Sequence, residues 1–235
     1  NHIRSRMQTY VPPHPIWLTE TGVPIWGDPY GWVPARPQGN WRATIHQAAS
    51  YVIQSYANAW ASDIDRYFLF RAHDDWCDKN HDGDCADDGI DGGMDEAFGL
   101  IRDDGTFRPT YVAYQVATRY LASPTMKTSV SYSSGVRRVT LWGTPRGKVS
   151  VLWNTTPTEQ SFDYPATLDI ATRVDSSGAT EPITATDGLY SLDLPEATAH
   201  QGDDYFIGGE PYLVIEEDTV PPSVATVDPL PSTTY

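Results

Sequence analysis

Side chains suited to chemistry concentrate in two stretches of the chain. The first is Ile16-Trp17-Leu18-Thr19-Glu20-Thr21-Gly22, where a carboxylate closes a short apolar run. In a parallel barrel the carboxyl ends of the strands meet the ligand, so a strand-end carboxylate there can attack a carbon or exchange a proton. The second is Asp78-Lys79-Asn80-His81-Asp82-Gly83-Asp84. Oxygen side chains at its first, third and fifth positions, a glycine for the tight turn and a carbonyl after it follow the first half of an EF-hand calcium loop. The second half departs from that pattern, because Gly89 stands where a bidentate glutamate belongs. Closure then falls to Asp87, Asp88 or Asp91, and the candidate ligand set is Asp78, Asn80, Asp82, Asp84 and Asp88. So many carboxylates in a short loop repel one another unless a cation neutralises them, which predicts a structural Ca2+. Cys77 and Cys85 bracket the loop, and a disulfide between them would bend it in advance and lower the entropy cost of ligation.

Around these stretches lie loop residues with two readings each. Trp26, Tyr30 and Trp32 follow Glu20, while Arg71, His73 and Trp76 follow the apolar run Tyr67-Phe68-Leu69-Phe70. An aromatic in such a loop either packs the loop down or offers a flat apolar face to a ligand. His73 and Arg71 either stay structural or hydrogen-bond a ligand and orient Glu20. Asp74 and Asp75 are the nearest carboxylates after the second run, and their position does not commit them to catalysis.

The elements that must position these residues can be read from periodicity. Residues 15–20 read as a short buried strand, with Leu18 and Ile16 sharing Glu20's side and Trp17 and Thr19 facing helices. From about 41 to 62 the apolar positions keep a 3.6-residue period, with Asn40 as the expected N-cap. A second buried strand at 66–71 follows, and Pro109 opens a further helix through Val112, Ala113, Val116, Ala117, Tyr120 and Leu121. Buried strands separated by helices predict a parallel βαβ arrangement. A closed (β/α)8 barrel takes about 250 residues, and residues 1–123 are about half that, so further strands are expected upstream.

Near residue 124 the style changes to all-β. Short runs at 128–132, 138–142, 148–153, 167–174, 189–194 and 212–215 predict an antiparallel sandwich over 124–218, with Trp142, Trp153 and Tyr190 in its core. Residues 219–235 read as a proline-rich linker. The fold class expected is therefore α/β followed by all-β.

Charge and composition exclude several functions. Lys plus Arg minus Asp plus Glu is 16 − 31 = −15, a field that repels phosphate, so nucleic acid is not expected as a partner. No apolar window reaches the roughly 18 residues of a membrane span. Phosphate loops, zinc spacings and the Gly-x-Ser-x-Gly elbow are absent. The paired cysteines point to an oxidising, extracellular setting.

The stretch 16–22, placed like a seventh barrel strand, resembles a motif of the clan A glycoside hydrolases, which include cellulase-like and xylosidase-like families. Residues 66–73 are placed like the eighth strand, and Phe98-Gly99-Leu100-Ile101-Arg102-Asp103-Asp104-Gly105-Thr106-Phe107-Arg108-Pro109 is similar to the lead into the last barrel helix. The resemblance implies the last quarter of a barrel with an appended β-domain, in a secreted retaining glycosidase acting on an oligo- or polysaccharide. It implies Glu20 as nucleophile, an acid/base residue on a strand upstream of this chain, and sugar contacts from Trp26, Tyr30, Trp32, His73 and Trp76. The remaining barrel strands, in the same longer chain or a bound fragment, are the other expected partner. The rival reading is a non-catalytic extracellular module that binds carbohydrate or builds a surface or filament around a calcium-stabilised loop.

Overall fold

The computed structural model describes residues 14–29, 42–74, 97–102, 104–131, 135–201 and 204–217. The acidic loop with its five candidate ligands, Cys77, Cys85, Tyr30, Trp32, Asp75 and Trp76 lie outside these residues.

Strands β1 (Trp17–Thr21) and β2 (Arg66–Leu69) pair in parallel, with helix α1 (Ile45–Ala61) between them in sequence. Thr44, not Asn40, caps α1. Its hydroxyl accepts from the Gln47 amide N–H at 3.3 Å, and the Gln47 side chain accepts from the Thr44 N–H at 2.8 Å, a reciprocal capping box that fixes the first turn. The 3.6-residue period then buries Ala48, Ala49, Val52, Ile53 and Ala57 on one face. Helix α2 (Pro109–Tyr120) starts with proline where no intrahelical N–H is needed. The two helices meet through Tyr56, whose ring lies edge-on to Tyr114 and tilted against Tyr67 of β2. Burial, then the neighbouring Tyr114, push the Tyr56 hydroxyl up to about 12.

After α2 the chain is all antiparallel: β3 (Met126–Ser131), β4 (Val136–Thr144), β5 (Gly147–Asn154), β6 (Gln160–Pro165), β7 (Ile170–Val174), β8 (Thr180–Thr184), β9 (Leu189–Leu194), β10 (Ala199–Gln201), β11 (Asp204–Ile207) and β12 (Tyr212–Glu216). Six of these form one sheet in the order β3-β4-β5-β12-β7-β8, while β6 pairs with β9 and β10 with β11. Alternation along the central strands builds two cores. Val149, Val151, Leu213 and Ile215 face α1 and α2, and Leu152 and Val214 face the β6–β9 hairpin with Tyr164, Tyr190, Leu192 and Leu194. Trp153 and Tyr190 are buried, as expected, and Trp142 is half-buried. The helices thus share a core with the sheet. Among the described residues, no helix is long and apolar enough to cross a membrane.

One charge lies inside the hairpin core. Glu216 is 2% exposed; its carboxylate accepts from the Thr167 hydroxyl at 2.6 Å and the Leu168 N–H at 3.0 Å, and pairs with the Lys148 ammonium. Burial opposes its charge, but the bonds from Lys148 and Thr167 outweigh burial and hold the carboxyl below the ordinary glutamate range. A lowered folded value contributes stability that is in place above the unfolded value and is lost as pH falls through the folded one. Denaturant melts should therefore show the wild type losing more stability than Glu216→Gln between about pH 5 and 3. Equal acid slopes would contradict this role.

Candidate active site

Glu20 sits exposed near the carboxyl end of β1, beside the end of β2. The local register decides which way it points. Leu18 lies opposite Tyr67 and Thr21 opposite Leu69, so β1 carries one residue more than β2 across this interval, a β-bulge. Tyr67 bonds Ser55 of α1, and the Thr21 hydroxyl bonds Tyr51 of the same helix, so both face α1. Alternation then places Glu20 on the opposite face, away from the helix. Trp17 shares that face, since its ring lies 6.3 Å from that of Phe68. This corrects the simple alternation, which pointed Trp17 toward the helices and put Leu18 on Glu20's side. The bulge shifts the phase between the two halves of the strand.

The expected burial of β1 and β2 also needs correction. On the face away from α1, Trp17 is 59% and Phe68 46% exposed and Glu20 is open to solvent, while Leu18, opposite Tyr67, is 38% exposed. A two-stranded parallel pair covered by a helix on one side leaves its other face open.

Past Glu20 the chain turns at Gly22, where a Cβ would lie 2.5 Å from the Phe70 carbonyl oxygen, so only glycine lets the two strand ends approach. The loop is then pinned. The Ile25 N–H donates to the Ala97 carbonyl at 2.7 Å, the Trp26 N–H to Ala43 at 2.9 Å, and the Ala43 N–H to Pro24 at 2.9 Å. Trp26 is half-buried on this leg.

The leg ends at a buried charge network that no local spacing announced. The Asp28 carboxylate has no exposed side-chain surface and accepts from Arg102 Nε at 2.7 Å, Arg102 Nη2 at 3.0 Å and Arg108 Nε at 2.7 Å. Arg108 also donates to the Gly99 carbonyl at 2.8 Å and pairs with Asp74 at 2.6 Å. Asp74 accepts further from the Phe98 and Gly99 N–H groups at 3.1 and 2.6 Å. Asp74 is thereby committed to anchoring the segment around Phe98 and Gly99 ahead of α2, which removes it as a free acid or base. These residues tie the loop after β1, the end of β2 and the start of α2 into one rim. Their partners are distant in sequence, and only the clustering of arginines in the 98–109 stretch hinted at them.

His73 is exposed at the same rim, with Nδ1 2.7 Å from the Asp74 carbonyl oxygen, and the Arg71 guanidinium lies over the Phe70 ring at 5.1 Å. Of the expected site residues, Glu20, Trp26 and His73 are therefore placed around the ends of β1 and β2. Tyr30, Trp32, Trp76 and the calcium ligands Asp78, Asn80, Asp82, Asp84 and Asp88 fall outside the described residues.

With this geometry in view, comparison with known proteins sharpens the class. No family model and no curated protein matches the chain. By fold, a family 39 glycoside hydrolase from the gut symbiont Bacteroides cellulosilyticus matches with a TM-score of 0.61 at 17% identity, over 92% of this chain and 37% of that one. A family 30 endoxylanase from Clostridium papyrosolvens matches at 0.48 and 11% identity, over 92% of this chain and 45% of the other. The catalytic domain of a family 30 xylanase from Talaromyces cellulolyticus matches at 0.45 and 15%, over 87% and 41%. The chain spans less than half the length of each. The likeness is one of fold: a few β/α units followed by an antiparallel sheet region, as in part of that family 39 glycoside hydrolase.

Proposed function

We propose that this chain is the C-terminal part of a secreted retaining glycoside hydrolase in which Glu20 is the nucleophile. The observation that carries the reading is the placement of Glu20: exposed, near the carboxyl end of β1, on the face away from α1, in a fold similar to that of a family 39 glycoside hydrolase. A Glu20 oxygen would bond the anomeric carbon as the glycosidic C–O bond breaks, while an acid on another strand, about 5 to 5.5 Å away, protonates the leaving oxygen. Water, deprotonated by that same residue, then displaces Glu20 and restores both groups. Trp26 and His73 stand where they could pack on the sugar and bond its hydroxyls, with Tyr30, Trp32 and Trp76 as further candidates. The acid/base residue and the strands covering Trp17 and Phe68 belong to the remainder of the barrel, since an exposed apolar strand face of this kind needs a cover. The first sugar released by the complete enzyme from an aryl glycoside should keep the anomeric configuration of the substrate, as read by proton NMR before mutarotation. An inverted product would remove any covalent role for Glu20.

We propose also that the loop around Asp78–Asp88 binds a structural Ca2+, supported by its oxygen-rich spacing and the flanking Cys77 and Cys85. Excess chelator should then lower the melting temperature, because the ion binds only the folded chain. An unchanged melt would count against the site.

A further inference from the structure

Where α1 meets the turns of the β region, a groove of about 310 Å³ opens that shares no lining residue with the rim around Glu20. The first turns of α1 contribute His46 and Ser50, the β7–β8 turn Ser176, the β9–β10 connection Glu196, and the β11–β12 connection Gly209 and Glu210. Its floor is pre-organised. The buried Gln54 amide donates to the Gly209 carbonyl at 2.8 Å and accepts from the Gly208 N–H at 3.0 Å. A Cβ at Gly209 would run into the Pro195 carbonyl, and one at Gly208 into the Trp153 indole, so the chain packs here as closely as glycine allows.

One hydroxyl is left over. Ser50 is 5% exposed and lines the groove, yet among the described residues no group bonds its hydroxyl. That hydroxyl opens onto the groove rather than being sealed from solvent, so a ligand oxygen can take the place of water as its partner. Glu210 accepts from the Ser176 hydroxyl through one oxygen, which leaves the other for a ligand donor.

The lining also selects the ligand class. Two carboxylates and no Lys or Arg repel an anion, and the near absence of apolar side chains gives nothing to an oily ligand. Among the described residues, no group of three His, Cys, Asp or Glu side chains is placed to hold a metal. An uncharged ligand with several hydroxyls fits, because carboxylates accept pairs of neighbouring O–H groups and serines bond in either sense. We infer that this groove is a second saccharide-binding site, sized for one or two sugar units. The inference rests on the lining of the groove and does not depend on Glu20.

Ligand-observed NMR on the full chain, with cellobiose, methyl β-xyloside and putrescine as probes, tests it. At least one of the sugars should bind, with affinity falling tenfold or more in Glu210→Gln and in Ser50→Val, and staying within twofold when the rim contact is removed in His73→Ala. Thermal melts should show that Glu210→Gln remains folded, so a misfolded Ser50→Val would leave a clean variant. Absence of sugar binding, equal affinity in Glu210→Gln, or displacement of the sugar by putrescine would overturn the inference. Loss of binding in His73→Ala alone would place the sugar at the rim instead.

Discussion

Glu20→Gln in the complete enzyme is expected to lower turnover at least about a thousandfold while leaving sugar binding within a few-fold. A thousandfold corresponds to about 4 kcal/mol of lost transition-state stabilisation. The amide keeps the size of the carboxylate and can still accept a hydrogen bond, so the ground-state complex should survive. It cannot form the ester to the anomeric carbon, so the step that depends on covalent attack is removed. A fall in kcat with KM nearly unchanged is the expected signature, and retained turnover would sink the nucleophile assignment.

The largest loss of stability is expected from Asp28→Ala. Its carboxylate is fully buried and accepts three guanidinium bonds from Arg102 and Arg108. Deleting it leaves two buried cations with part of their donors unsatisfied. Removing one partner from a buried ion pair costs about 3–5 kcal/mol. At about 2–4 °C per kcal/mol for a chain of this size, the melting temperature should fall by roughly 10 °C. Because Arg108 also holds Asp74, the damage should reach the rim after β2, and sugar binding should weaken along with the melt. A change below about 1 kcal/mol would mean that the network is compensated elsewhere.

How much of this could be read in the sequence depended on whether the signal was local. The apolar period of α1 and the proline opening α2 gave both helices, because each burial face is written in consecutive residues. The start of α1 was misplaced by a few residues, since Asn40 and Thr44 are both good caps and only the reciprocal bonds of Thr44 and Gln47 decide between them. Central strands β4, β5, β9 and β12 carry strong β-formers and were legible. Strands β6 and β8 were not, because Gln160–Pro165 mixes polar residues with its inward Phe162 and Tyr164, Thr180–Thr184 is largely exposed, and proline lies within or at the end of each. The bulge in β1 was invisible to alternation: one extra residue between Leu18 and Thr21 leaves no mark in residue types. The Asp28–Arg102–Arg108 network joins residues 74 and 80 positions apart, a distance at which charge patterning in one sequence says nothing. The position of Glu20 near the end of β1 was legible for the opposite reason, since a carboxylate that ends an apolar run stands out without knowledge of the fold.

The nucleophile assignment is tested most directly by incubating the complete enzyme with an activated 2-fluoro glycoside and mapping the modified peptide by mass spectrometry. The fluorine slows both steps, and a good leaving group lets the first proceed, so the covalent intermediate accumulates on whichever carboxylate attacks. A stoichiometric label on the peptide spanning residues 16–24, at Glu20 and absent from Glu20→Gln, is the expected result. A label on another carboxylate, or reversible sugar binding with no label, would contradict the assignment.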